Sequence, residues 1–311
     1  MISECRPPGG PDKIHRLDSY RFDKNSSFIS RVSMPPPLVL DYLKKLDSRS
    51  DYEPYLPGKR EKHAMEKGFA LLPELNREVL EKRLIGVYFI KNFTGNGLCE
   101  WVMDRDGRVF VFLVFNPSSL KKTISGLLTE KEKTCFINDD SSIRIDVDCG
   151  TKYPGFYYIL LHESTHAVDY VLNITPYVDE SYRRYAKKEK SETEFTEDYW
   201  RGYSASKAHF IFSNRVSFYH IGKPDLKISE AVAVYEDLAR SPFVSLYGSM
   251  SWAEDLAEMV AFYHITSILK EPFGVYVFRK KEKIFAIYPM AGPSVIKRFP
   301  LLKKFYRPEE L

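Results

Sequence analysis

A single pentapeptide, His162-Glu163-Ser164-Thr165-His166, constrains this chain more strongly than any other feature of its sequence. On an α-helix, residues four positions apart lie on one face, so both imidazoles can reach a single metal ion. Glu163 lies between them, where its carboxylate can accept a proton from a metal-bound water. With 7 histidines and 42 acidic residues in 311 positions, chance produces about 0.02 such matches per chain. The spacing therefore predicts a zinc site on a buried helix; the competing interpretation is a helix with two ordinary surface histidines.

The best candidate for a third zinc ligand is Glu254, downstream of the pentapeptide. Glu258 lies four residues later on the same face of a predicted helix, where it can hydrogen-bond the far nitrogen of a ligating histidine. We therefore expect one Zn²⁺ per chain, bound by His162, His166 and Glu254. Glu258 is the supporting residue and the fallback ligand. Ser251 and Glu254 also match a capping box, in which Glu254 would only close the start of the helix.

The candidate electrophile, which stabilises the oxyanion as water attacks a carbonyl, is the phenolic hydroxyl of Tyr247. This tyrosine lies in a predicted loop just before the helix that contains Glu254. His220 and His264 are the alternatives, although each is expected more often to be a structural histidine. The sequence thus proposes Glu163 and Tyr247 as the catalytic side chains.

These residues resemble the active site of the gluzincins, zinc metalloproteases with HExxH and a downstream glutamate as third ligand, and most nearly the catalytic domain family of anthrax lethal factor. The resemblance lies in the segments 162–169 and 247–258. In that family the tyrosine assists the transition state, the first glutamate binds zinc and the second supports a histidine. By position, these roles fall on Tyr247, Glu254 and Glu258. The resemblance implies a zinc metalloendopeptidase that hydrolyses peptide bonds with a metal-activated water and Glu163 as general base.

The hydrophobic pattern predicts an α+β fold with an N-terminal extension or small subdomain over residues 1–80. That region is rich in proline, serine and charge and contains one helical pattern, Leu38–Leu46. Residues 81–311 are predicted to form a zincin-like, two-lobed domain, with a small mixed sheet and the active-site helix followed by a mainly helical lobe. The gap between His166 and Glu254 is longer than gluzincins usually carry. It predicts a helical insertion around 176–245, including the charged stretch 179–201, which is expected to be a solvated helix or a surface excursion.

Local patterns predict the individual elements of this domain. The predicted strands are Ile85–Ile90, a hairpin around 104–107 that returns over Arg108–Phe115, Thr134–Ile137, Ser142–Val147, and a hairpin over Gly274–Pro289. The predicted helices are a stretch from Tyr153 to Asn173, then Asp225–Leu238 and Ser251–Leu269. Ser142–Val147 is the candidate edge strand along which an extended peptide or protein substrate would bind.

Composition restricts the partners. The net charge of +4 falls short of the clustered basicity of a dedicated nucleic-acid binder, so no nucleic-acid partner is expected. A rival interpretation is a basic binding module in the C-terminal segment, where aromatic residues alternate with Lys297, Arg298, Lys303, Lys304 and Arg307. A second rival is a zinc-bearing, non-catalytic binding or regulatory protein with a zincin fold. No run of apolar residues is long enough for a transmembrane segment.

The cysteines do not identify the cellular compartment of the protein. The four cysteines, Cys5, Cys99, Cys135 and Cys149, lack the CxxC spacing of a cysteine-based zinc site and can be disulfide-bonded or buried thiols. The first 30 residues contain no signal-peptide core. A secreted or lipid-anchored bacterial protein is expected only if a leader was trimmed before Cys5.

Overall fold

The computed structural model describes residues 11–186, 192–219 and 224–306. Its α-helices are α1 (Pro37–Leu46), α2 (Lys59–Ala70), α3 (Glu74–Arg83), α4 (Ile124–Lys133), α5 (Gly155–Leu172), α6 (Ala231–Arg240), α7 (Trp252–Tyr263) and α8 (Pro293–Ile296). Its strands are β1 (Glu53–Tyr55), β2 (Leu84–Lys91), β3 (Gly97–Met103), β4 (Val109–Phe115), β5 (Phe136–Ile137), β6 (Ile143–Asp148), β7 (Trp200–Gly202), β8 (Ala205–Ser206), β9 (Leu226–Lys227), β10 (Gly274–Arg279) and β11 (Glu282–Ile287). Helices and several small sheets are thus mixed, which is compatible with the predicted α+β class.

A four-stranded sheet with the order β1-β2-β4-β3 positions the candidate site. The inner pair β2 and β4 is parallel, whereas β1 and β3 each pair antiparallel with their neighbours. Strand β4 is apolar at every position because both of its faces are covered. Val111 and Leu113 belong to the main hydrophobic core, and Phe112 and Val114 belong to a second core on the opposite face.

Helix α5 packs on the face of this sheet that belongs to the main core and contacts both β3 and β4. It is buried along nearly its whole length, because helices and strands pack against it on several sides. A Cβ atom at Gly155, its first residue, would lie 2.7 Å from the Leu127 side chain. The helix therefore needs glycine where it crosses α4. It ends at Asn173, which has a left-handed conformation with φ of 53°.

Part of the N-terminal region, including α1, covers the other face of the same sheet, whereas α2 and α3 pack against α5. Helix α1, which confirms the helix predicted over Leu38–Leu46, places Val39 and Leu43 in the second core. Strand β1 pairs with β2, and Arg16 forms an isolated parallel bridge with Met103 of β3. Residues of the predicted extension thus contribute a strand and a core layer to the sheet beside the site.

A second, antiparallel sheet has the order β11-β10-β6 and confirms the predicted hairpin over 274–289. Strand β6 corresponds to the predicted edge strand, but α4 packs against it and occupies part of its outer edge. The Thr129 hydroxyl accepts a hydrogen bond from the Val147 amide at 2.9 Å and donates one to its carbonyl at 3.3 Å. The Ser125 hydroxyl accepts from the Cys149 amide at 2.8 Å.

The described part of the predicted helical insertion differs from the prediction. Residues 179–186 and 192–199 form turns rather than a helix, and β7, β8 and β9 follow. Tyr182, Phe195 and Trp200 are fully buried there, so this stretch is not simply a solvated surface. Helix α6 is the only α-helix in the described part of 176–245, and it begins at Ala231 instead of Asp225. The predicted helix Ser251–Leu269 is α7 followed by a π-turn over His264–Ile268.

Cys99, Cys135 and Cys149 are buried free thiols, and Cys5 lies outside the described residues. None of the helices that the structure describes has the length and apolar character needed to cross a membrane.

Candidate metal centre

Helix α5 presents three residues of the pentapeptide to one cavity. His162, Glu163 and His166 are each less than a tenth exposed, and all three line a cavity of about 400 Å³. The Nε2 atoms of the two histidines lie 3.1 Å apart. The alternative of two surface histidines is therefore wrong, because both rings are buried and converge on one point.

Helix α7 brings Glu254 to the same point. Its Oε2 atom lies 3.0 Å from His162 Nε2 and 3.6 Å from His166 Nε2. Ser251 does cap α7, since its hydroxyl accepts a hydrogen bond from the Glu254 amide at 3.2 Å. The Glu254 carboxylate nevertheless faces the histidines, so the capping interpretation accounts for the backbone of this residue and not for its side chain.

The three side chains fit a tetrahedral zinc site. A zinc ion with ligands at about 2.1 Å separates neighbouring ligand atoms by about 3.4 Å, and the three observed separations are 3.0, 3.1 and 3.6 Å. These residues also form the one group of metal-binding type within the described part of the chain. Glu254 Oε2 is buried without a hydrogen-bond partner among the described residues, which is costly unless another group binds there.

Glu258 lies one turn further along α7 and contacts the opposite side of the His162 ring. Its Oε1 atom is 3.0 Å from His162 Nδ1, and its Oε2 atom accepts a hydrogen bond from the Ser245 hydroxyl at 2.6 Å. This contact fixes the orientation of the ring and directs Nε2 towards Glu254. The geometry matches the supporting role predicted for Glu258 and places it farther from the cluster than a ligand.

Without a metal, His162 and the glutamates of this centre shift one another's pKa values. Burial lowers the pKa of His162, but the adjacent carboxylates of Glu254 and Glu258 outweigh burial and raise it to about 10. Burial raises the pKa of Glu254, but the charges of His166 and His162 together hold it well below its ordinary value. The centre therefore favours an ionised carboxylate, the form in which glutamate binds metal.

Glu163 points into the cavity against β3. Burial raises its pKa, and the nearby histidines lower it by a smaller amount. A Cβ atom at Gly97 of β3 would lie 2.7 Å from Glu163 Oε1 and 2.4 Å from the Ile159 side chain. Only glycine at position 97 allows the strand to approach α5 closely enough to form this wall of the cavity.

Tyr247 lies in a single helical turn before α7, with its ring 5.7 Å from that of His162. It lines the cavity, and burial raises the pKa of its hydroxyl far above the ordinary value, with a further contribution from Glu254. His264 and His220 are the alternatives to Tyr247 as the electrophile. His264 packs against Tyr306 and does not line this cavity, and His220 lies outside the described residues.

Sequence reasoning missed a buried cation behind the site. Lys131 of α4 lies with its Nζ 3.6 Å from the centre of the Tyr247 ring, 3.4 Å from Glu258 Oε1 and 2.7 Å from the Tyr158 hydroxyl. That hydroxyl also donates to Glu258 Oε1. Tyr158 precedes His162 by four residues, so helical spacing could have identified it. Lys131 gave no such indication, because it comes from a separate helix.

The cavity lies between two walls of different origin. One wall is β3 from Gly97 to Glu100 together with Tyr42 and Leu46 of α1, and the other is the segment 178–181 with Tyr203. Strand β6, the predicted substrate strand, does not line it, which corrects that prediction. The edge strand beside the candidate centre is β3.

Comparisons with known proteins found no match to this chain among family models, curated proteins or solved structures.

Proposed function

We propose that this chain is a zinc-dependent metallopeptidase. His162, His166 and Glu254 would hold the ion, as three buried ligand atoms whose separations suit a tetrahedral site. The observation that carries the proposal is that Glu163 lies beside this cluster in an accessible cavity. A structural zinc site has four protein ligands and needs neither the cavity nor the extra carboxylate.

The side chains divide the chemistry of peptide hydrolysis between them. A zinc ion bound here would supply a Lewis acid that polarises the substrate carbonyl and lowers the pKa of water. Glu163 accepts the proton of the attacking water and passes it to the leaving amine, and the raised pKa of this carboxyl suits both steps. The Tyr247 hydroxyl donates a hydrogen bond to the developing oxyanion. Glu258 keeps the His162 ring in place throughout.

We further propose that the domain is zincin-like and that an extended peptide pairs with β3. A central sheet with an active-site helix on one face and a second helix supplying the glutamate supports this assignment, as does the resemblance to gluzincins. Beyond Glu100 the outer edge of β3 is already covered, because His15 stacks on Trp101 at 4.0 Å and Arg16 pairs with Met103. The edge that remains for a substrate is the part that lines the cavity, Gly97–Glu100.

The competing function is a zinc-bearing binding or regulatory protein without catalysis. This alternative uses the same three metal ligands as the peptidase but assigns no role to Glu163 and Tyr247. The basic binding module has less support, because Arg298 is fully buried in an ion pair with Asp255 and Arg307 lies outside the described residues. The proposed peptidase is therefore the better account of the site.

One experiment separates peptidase from binding protein. The purified chain is analysed for metal content and then incubated with a quenched-fluorescent peptide library, with and without a chelator. We expect one zinc per chain and cleavage that stops with the chelator and returns on adding zinc. Bound zinc without cleavage of any peptide would favour the non-catalytic alternative, and absence of zinc binding would overturn both.

A further inference from the structure

The buried ammonium group of Lys131 joins several separate segments behind the candidate metal centre. Lys131 belongs to α4, and its side chain is only 3% exposed. Its Nζ atom contacts Tyr158 of α5, Glu258 of α7 and Tyr247 of the turn before α7. A buried charge is costly unless it is paired, so the contacts of this cation determine which groups it holds in place.

The closest aromatic contact of this ammonium is the ring of Tyr247. Its Nζ atom lies 3.6 Å from the centre of that ring, compared with 5.3 Å for Tyr158 and 5.8 Å for Phe218. A cation over the face of an aromatic ring is attracted by the ring quadrupole, and the attraction is stronger when the cation is removed from water. Lys131 therefore holds the Tyr247 ring by its face.

The backbone around Tyr247 gives this contact its importance. Tyr247 is the first residue of a single 3₁₀ turn, Tyr247–Ser249, rather than part of a long helix. Side chains on short connecting segments are placed less precisely than those on helices and strands. The ring also packs against Phe218 and His162, with ring centres 5.1 and 5.7 Å apart. The ammonium, at 3.6 Å, is closer to the ring centre than either neighbour.

Glu258 anchors the ammonium on its other side. Its Oε1 atom lies 3.4 Å from Lys131 Nζ and accepts a hydrogen bond from the Tyr158 hydroxyl, which itself lies 2.7 Å from Nζ. The same Oε1 atom is 3.0 Å from His162 Nδ1. One carboxylate thus connects the cation that contacts Tyr247 with a histidine that would hold the metal.

Lys131 is placed to act through its neighbours and not on the substrate. Tyr247 lines the cavity beside the metal centre, and Lys131 does not. Lys131 instead lines a smaller cavity of about 20 Å³, which Tyr247 and Glu258 also border. That volume holds about one water molecule, which is too small for a peptide.

We propose that Lys131 is a positioning residue, whose ammonium fixes the Tyr247 ring so that its hydroxyl meets the oxyanion that develops beside the metal. The proposal rests on the peptidase activity proposed above. A displacement of about 1 Å in a catalytic group can lower the rate about 10²-fold. The hydroxyl contacts the oxyanion only in the transition state, so the loss of Lys131 should lower kcat and leave KM nearly unchanged.

Substitutions at position 131 test the role of the charge. Lys131→Met keeps the length of the side chain without its charge, and we expect kcat to fall about 10–100-fold with KM within about twofold of the wild type. Lys131→Arg keeps a cation that can lie over the ring and should retain kcat within about threefold. The control is Lys133→Met, an exposed lysine of the same helix, which should behave as the wild type. If Lys131→Met does not fold, Lys131→Gln, which can still donate to Glu258, takes its place.

A double-mutant cycle identifies the neighbour through which Lys131 acts. In Tyr247→Phe protein the hydroxyl is already absent, so adding Lys131→Met should lower kcat by less than about threefold. Zinc affinity, measured by competition with a chelator, should not fall in Lys131→Met, because Ser245 and Tyr158 still donate to Glu258. Equal losses of kcat in both backgrounds would overturn the proposal, and weaker zinc binding would assign the effect to His162 instead.

NMR of Tyr247 provides a readout that does not need catalysis. Protein is labelled with ¹³C at the tyrosine Cζ atoms, and the Tyr247 signal is identified by its absence from Tyr247→Phe. We expect one sharp signal in the wild type and in Lys133→Met, and a broadened or split signal in Lys131→Met because the ring then occupies several positions. One sharp signal in Lys131→Met would overturn the proposal. Failure of the wild type to cleave any peptide would overturn the peptidase, while the NMR comparison still decides whether Lys131 holds Tyr247.

Discussion

Glu254 and Asp255 are adjacent on α7, yet their carboxylates lie in two very different environments. Asp255 accepts hydrogen bonds from both terminal nitrogens of Arg298, at 2.9 and 2.6 Å, and from the Trp200 indole at 2.9 Å. Glu254 Oε2 meets two imidazole nitrogens but has no hydrogen-bond partner within the described residues. One carboxylate has a complete set of partners, and its neighbour does not.

The difference separates a structural charge from a binding site. Arg298 and Asp255 are fully buried, and their ion pair ties the C-terminal segment to α7. The Glu254 cluster opens on a cavity, and Glu254 Oε2 has no hydrogen-bond partner among the described residues, as the proposed metal site would require.

The largest effects on zinc binding and on stability are expected when Glu254 and Asp255 are each replaced by alanine. Glu254→Ala should reduce bound zinc from one per chain to a small fraction and abolish cleavage, because two histidines alone bind zinc weakly. Asp255→Ala should instead destabilise the fold by about 3–5 kcal/mol, because it leaves Arg298 buried without its counter-charge. Metal analysis and urea unfolding of both variants check this contrast. Full zinc content in Glu254→Ala would transfer the ligand role to another residue such as Glu258.

Glu163→Gln tests whether the cluster is a catalytic site rather than a binding site. The change keeps the size of the side chain but replaces the carboxylate base with a neutral amide, so kcat should fall about 10²–10⁴-fold. Zinc content should stay at one per chain, because Glu163 is not among the three converging ligands. Steady-state kinetics and metal analysis on the same preparation provide the measurement. Wild-type turnover in this variant would remove Glu163 as the base.

Tyr247→Phe should lower kcat about 10–1,000-fold, the range for one lost oxyanion donor. The phenyl ring still offers its face to Lys131, so packing and zinc binding should remain. A matched control is Tyr203→Phe, since Tyr203 lines the same cavity and donates its hydroxyl to the Val178 carbonyl at 2.9 Å. If both variants keep wild-type kcat, Tyr247 acts only in packing.

The smallest effect concerns His264, directly after the C-terminal end of α7. Burial lowers the pKa of this histidine to about 4, so it remains neutral in the folded protein. Below its unfolded value of 6.5 the unfolded chain binds the proton more readily, and stability is therefore lost as the pH falls from about 6.5 towards 4. Between pH 7.5 and 5.5 we expect a loss of about 1 kcal/mol that His264→Phe removes. Urea unfolding at both pH values measures it, and an unchanged pH dependence in the variant would contradict this assignment.

The sequence was most informative where a pattern is local. The spacing of His162 and His166, and of Glu254 and Glu258, placed each pair on one helical face, and the structure brings both faces together. The helix over Leu38–Leu46 and the hairpin over Gly274–Pro289 are confirmed for the same reason, since their periodicity depends only on neighbours along the chain.

Prediction was poorer where distant segments meet. Strand β6 has the composition of an edge strand, but hydroxyl groups of α4 satisfy part of its outer backbone, and β3 borders the site instead. The charged stretch 179–201 contains buried aromatic residues because the turns fold against the core. Neither outcome could be predicted from charge or alternation alone.

By itself, the sequence determined which side chains form the centre, because helical periodicity and ligand chemistry are properties of short segments. The tertiary structure alone decided what surrounds them: Lys131 behind Glu258 and Tyr247, Gly97 against Glu163, and a cavity with walls from β3 and the 178–181 segment. These contacts join residues far apart in the chain, and their geometry follows from how helices and sheets pack, which no local pattern encodes.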